Sequence, residues 1–67
     1  MKLHINGENV EVPGSIHSVT ELLAYFQLQD KVVIVELNQD ILEKENHAQT
    51  NISNGDRIEI VHFVGGG

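Results

Sequence analysis

The chain has no cysteine. That excludes a disulfide framework, a zinc–thiolate site and an iron–sulfur cluster. It also leaves no side chain able to hold sulfur as a persulfide. Basic residues are scarce as well. Lys2, Lys31, Lys44 and Arg57 stand against ten acids, for a formal net charge of -6. Nucleic-acid binders neutralise phosphates with clustered Lys and Arg. Four scattered bases argue against nucleic acid and against an anionic membrane. They leave two readings open, a partner with a basic surface or acidity that serves solubility alone. No apolar run is long enough to cross a membrane, and the opening residues do not form a signal peptide. The expected location is the cytoplasm.

Chemistry-bearing patterns are missing too. His4, His17, His47 and His62 show no metal-ligand spacing. There is no nucleophile motif and no phosphate-binding glycine loop, so no side-chain constellation supports catalysis. The length of 67 residues points the same way. A chain this short buries only about 60% of the surface its unfolded form exposes. Its core supplies roughly 3–5 kcal/mol, with no room for a deep enclosed active site. A carrier, modifier or binding module is the better expectation than an enzyme.

What is present reads as one globular domain, since 40% of residues are apolar and 21% charged. Leu3 and Ile5 alternate with polar neighbours, and so do Val10 and Val12. Asn6-Gly7 between them is a strong hairpin signal. The single proline, Pro13, followed by Gly14, ends the hairpin. Ser18 with Glu21 fits a capping box, and Val19, Leu22, Leu23 and Phe26 follow at helix spacing. Residues 31–37 are rich in β-branched types and read as a strand. Asn38–Asp40 is a turn, Ile41-Leu42 a short return, and Glu43–Thr50 a polar stretch with room for one helical turn. Residues 57–64 form the last strand.

One helix cannot cover both faces of such a sheet. The expected fold is therefore α+β, a β-grasp (ubiquitin-like) domain with a mixed four- to five-stranded sheet and one main helix on one face. Its first and last strands lie parallel in the middle. Residues 1–64 form the domain and 65–67 a flexible glycine tail. Period-2 alternation sends Leu3, Ile5, Val10, Val12, Val33, Val35, Leu37, Ile58 and Ile60 toward the helix, with Glu36 facing water. It leaves His4, Val32, Ile34, Val61 and Phe63 on the open face as one apolar docking patch. The alternative is that Val32–Val35 is a strand buried on both faces.

The chain finishes on Gly65-Gly66-Gly67. Glycine orders a backbone poorly, so this ending is either a loose end or a thin probe whose last atom matters. A terminal carboxylate becomes reactive once it is converted to an acyl-adenylate. Residues without Cβ let it pass a narrow channel into another protein's nucleotide site.

These features resemble the ThiS family of thiamine-pathway sulfur carriers. The match rests on the His4–Gly7 hairpin, the Ser18–Leu23 helix start and residues 32–38. Its most specific element is residues 55–66, Gly-Asp-Arg-Ile-Glu-Ile-Val-His-Phe-Val-Gly-Gly. Residues 43–50 match weakly, and Gly65 is a third glycine where the family needs two. The resemblance implies a cosubstrate rather than a catalyst. An E1-like adenylyltransferase (ThiF-like) uses ATP and Mg to adenylate the Gly67 carboxylate. A cysteine desulfurase relay supplies sulfur to form a thiocarboxylate, and thiazole synthase (ThiG-like) accepts it. Gly65 and Gly66 thread into partner active sites. The rivals are the small subunit of molybdopterin synthase, a ubiquitin-like protein modifier and a plain interaction domain.

Overall fold

Asn6 and Gly7 both take positive φ, 52° and 82°, and the chain folds back on itself. Such turns match the right-handed twist of the strands they join. The result is an antiparallel pair of β1 (Lys2–Ile5) and β2 (Glu8–Glu11), with Leu3 opposite Val10. The structure is a computed structural model that describes residues 1–63. The remaining elements are α1 (Val19–Tyr25), β3 (Val33–Leu37), β4 (Asp40–Leu42), a single 3₁₀ turn (Lys44–Asn46) and β5 (Arg57–His62). The strands form one five-stranded sheet in the order β2-β1-β5-β3-β4. β1 and β5 are parallel at its centre, and the other neighbours are antiparallel. This is the expected β-grasp arrangement.

Helix α1 starts where the capping box predicts. Ser18 Oγ accepts from the Glu21 N–H at 3.1 Å, and Glu21 Oε1 accepts from the Ser18 N–H at 3.1 Å. The two orphan donors that remain in the first turn meet the polar stretch after β4. Val19 N–H donates to the Thr50 carbonyl at 3.1 Å and Thr20 N–H to the His47 carbonyl at 3.3 Å. Residues 47–52 therefore run beside residues 17–20 and close the helix N-terminus.

The core gathers Leu3, Ile5, Val12, Ile16, Val19, Leu22, Leu23, Val35, Ile52 and Ile58. Val10, Val33, Leu37 and Ile60 pack around it half-buried. Phe26 departs from the expected buried helix face and is exposed. The helix stops at Tyr25, and Gln27 adopts φ 62°. The reversal leaves the Phe26 ring edge-on against Tyr25, with centroids 5.1 Å apart. The third strand is also shorter than expected, beginning at Val33 rather than Lys31.

Candidate functional site

The face of the sheet away from α1 is uncovered, and register decides what lies on it. Residues directly opposite on neighbouring strands share a face. Ile34 stands opposite Val61 and Glu36 opposite Glu59. One step further, the Phe63 N–H donates to the Val32 carbonyl at 3.1 Å. Val32, Ile34, Val61 and Phe63 thus form a contiguous apolar cluster at the end of β5. Val32 is 70% exposed and Phe63 50% exposed, so the strand is not buried on both faces.

The register does not bring His4 into this cluster. His4 is opposite Arg57 on β5 and opposite Asn9 on β2. Val61 lies four positions further along β5 than Arg57, about 13 Å at the usual strand rise. The acids Glu36 and Glu59 lie between. Alternation placed His4 on the correct face. Its position along the face depends on the offset of β1 against β5, which alternation does not carry.

The structure adds Ile41, 71% exposed on β4. It lies opposite Glu36 and diagonal to Ile34, extending the apolar surface to the sheet edge. The signal was available: Ile41 sits between two polar-turn residues and the inward Leu42. A three-residue strand gives alternation too little length to act on. Glu36 lies on the open face as expected but is half-buried between its neighbours.

Around this surface the electrostatics are plain. Among the described residues no group of three or more His, Cys, Asp or Glu is arranged to hold a metal. Glu21 is held below the ordinary carboxylate value. The main cause is the His17 N–H that it accepts at 2.7 Å, partly opposed by desolvation, with the Ser18 N–H, the His17 charge and the Ser18 hydroxyl adding to the lowering. That shift belongs to helix capping, on the face opposite the apolar surface. Gly65, Gly66 and Gly67, the expected threading residues and sulfur attachment point, lie outside the described residues.

Comparison with known proteins gives this geometry its context. The ThiS family model matches residues 3–67. This chain belongs to the ThiS family. It is a sulfur carrier rather than a catalyst. It is 45% identical to the sulfur carrier protein ThiS of Bacillus subtilis, over 97% of this chain and 98% of that one. The crystal structure of a thiamine biosynthesis protein (ThiS) from Geobacter metallireducens superposes with a TM-score of 0.82 at 40% identity, covering all of both chains. A thiazole synthase of Paramagnetospirillum magneticum is 42% identical across this whole chain, which spans 20% of that enzyme. The family decides between the sulfur-acceptor rivals left open by the residues alone. Among the described residues no helix is long and apolar enough to cross a membrane.

Proposed function

We propose that this chain carries sulfur as a thiocarboxylate on Gly67 and donates it to a thiazole synthase for the thiazole ring of thiamine. The observation that carries the reading is the apolar cluster of Val32, Ile34, Val61 and Phe63 at the end of β5. A partner that docks there receives the chain beyond Phe63 in a defined direction. Four further residues span at most about 14 Å, which bounds how far from the docking surface the terminal carboxylate can reach.

The chemistry follows from the scarcity of other groups. With no cysteine, no side chain can take sulfur as a persulfide. The remaining attachment point is the C-terminal carbonyl. An E1-like enzyme with ATP and Mg joins the Gly67 carboxylate to AMP and releases pyrophosphate. A sulfur donor, fed by a cysteine desulfurase relay, then attacks with its persulfide sulfur and displaces AMP; a thiol reductant cleaves the S–S bond of the resulting acyl disulfide, so sulfur replaces one carboxylate oxygen. Gly65 and Gly66 let the arm through because they present no side chain to the channel wall. Thiazole synthase as the acceptor is supported by the homologous region inside the Paramagnetospirillum magneticum enzyme. The cytoplasm is the proposed place of this work.

The experiment is an intact mass. The chain is made with its own C-terminus in a thiazole-synthesising bacterium and weighed without reduction or alkylation. A fraction heavier by the difference between sulfur and oxygen, located to Gly67 by fragmentation, is expected. A single unmodified mass that persists with ATP, the activating enzyme and a sulfur donor would overturn the reading. Removing Gly66 and Gly67 should abolish loading and leave the fold unchanged.

A further inference from the structure

The sequence contains two Asn-Gly pairs, Asn6-Gly7 and Asn54-Gly55. Asparagine is one of the chemically labile side chains, and such a pair carries a reaction of its own. The glycine nitrogen attacks the asparagine Cγ, because glycine has no Cβ to obstruct the approach. Both pairs lie in exposed turns. Nothing lies within 4 Å of the Cβ position of either glycine, so water reaches both. The structure holds their reacting atoms differently. At the second pair one residue engages both atoms. The Lys2 N–H donates to Asn54 Oδ1 at 2.7 Å, and the Gly55 N–H donates to the Lys2 carbonyl at 2.7 Å. Attack by the Gly55 nitrogen therefore requires the start of β1 to part from the turn.

At the first pair only the side chain is held. Asn6 bridges to β5 through both ends of its amide, accepting from the Ile60 N–H and donating to the Ile60 carbonyl. The Gly7 N–H has no hydrogen-bond partner among the described residues. Two exposed hydrogen bonds thus restrain the electrophile, and the nucleophile beside it is unbound. Releasing Asn6 takes a side-chain rotation at the surface. Releasing Gly55 takes a separation of main chain from main chain. Openings at the exposed edge of a fold cost the least free energy, so the two pairs differ in how often their reacting atoms come free.

We propose that Asn6 is a site of spontaneous deamidation in the folded chain, with water as co-reactant, and that Asn54 is protected until the chain unfolds. The Gly7 N–H gives up its proton to base, and the nitrogen bonds to Asn6 Cγ. The Cγ–Nδ2 bond breaks and ammonia leaves, closing a succinimide ring. Water then adds to either ring carbonyl and breaks its bond to nitrogen, giving aspartate or isoaspartate at position 6. One water is taken up and one ammonia released, with no redox step. The clamp on β5 does not survive this change. A carboxylate has only acceptors, so it still accepts from the Ile60 N–H but offers no donor to the Ile60 carbonyl. Isoaspartate also adds a backbone atom to the two-residue turn. β5 loses part of its hold at Ile60, the residue before Val61 of the apolar cluster.

The test is incubation of the full chain in mildly alkaline buffer, with and without urea, followed by peptide mapping by mass. Each product is heavier by the difference between an acid and an amide, and fragmentation assigns it to Asn6 or Asn54. In the folded chain, conversion at Asn6 should run about tenfold or more ahead of conversion at Asn54. In urea the two rates should come together. Asn6→Asp copies one product and should remain folded. Its Ile60 amide should exchange about tenfold faster than in the parent chain, a larger change than at Ile58. Conversion of Asn54 ahead of Asn6 in the folded chain, conversion of Asn6 in urea alone, or parental exchange at Ile60 in Asn6→Asp would overturn the proposal. None of these readouts depends on sulfur loading of Gly67.

Discussion

The Asn6 side chain holds the main chain of Ile60 from both sides. Its Oδ1 accepts from the Ile60 N–H at 2.7 Å and its Nδ2 donates to the Ile60 carbonyl at 3.2 Å. Regular pairing of β1 with β5 covers only His4 with Arg57 and Ile5 with Ile58. Asn6 continues that ladder past the hairpin turn with an amide side chain in place of a backbone. The other hairpin turn does the same at the start of β5, where Asn38 Oδ1 accepts from the Arg57 N–H at 3.0 Å. Both turns therefore clamp the strand that leads into the glycines.

Asn6→Ala removes both bonds and puts a Cβ-bearing residue without a polar side chain at φ 52°. A loss of about 2–4 kcal/mol is expected, since each of the two exposed hydrogen bonds is worth roughly 0.5–1 kcal/mol and the left-handed conformation costs Ala about 1–2 kcal/mol. Urea unfolding should show a lower midpoint with an unchanged slope. Hydrogen exchange at the Ile60 amide should quicken more than at Ile58.

The Glu21 carboxylate makes stability pH-dependent. Its value in the folded chain is lowered, chiefly by the His17 N–H. Such a group contributes stability above its unfolded value, about 4.3, and loses it as pH falls through the lower folded value. Glu21→Gln should flatten the fall in melting temperature between about pH 5 and pH 3, with little change at pH 7 beyond the loss of a charged cap. An acid limb as steep in Glu21→Gln as in the parent chain would refute the assignment.

Large apolar side chains on the two faces of the molecule should behave differently. Leu22→Ala, at a fully buried position, should cost about 2–5 kcal/mol through lost contact and the cavity left behind. That is most of the stability of so small a domain. Ile41→Ala, at a position 71% exposed, should shift the urea midpoint within about 0.5 kcal/mol.

Ile34→Asp and Phe63→Asp should leave the circular dichroism spectrum and the melting temperature close to those of the parent chain. Each should weaken binding to the activating enzyme by about 2 kcal/mol or more, roughly 30-fold, as central contacts of an apolar interface do. His4→Asp, outside the cluster, should bind nearly as the parent does. Global unfolding of Phe63→Asp would show that the open face is a second core.

Local chemistry determined much of this protein in advance. The Asn6-Gly7 turn, the Ser18–Glu21 capping box and the period-2 faces of β1, β3 and β5 each depend on residues a few positions apart, and each formed as read. The absence of cysteine likewise leaves no side chain to hold sulfur as a persulfide, which is what the proposal for Gly67 builds on. Tertiary structure decided what depends on offset between distant segments. His4 parted from Val61 because the parallel register of β1 and β5 is set by nonlocal packing. Phe26 turned to solvent because the chain reverses at Gln27. Residues 43–50 had no readable period, since their order comes from bonds to Val19 and Thr20 across the fold.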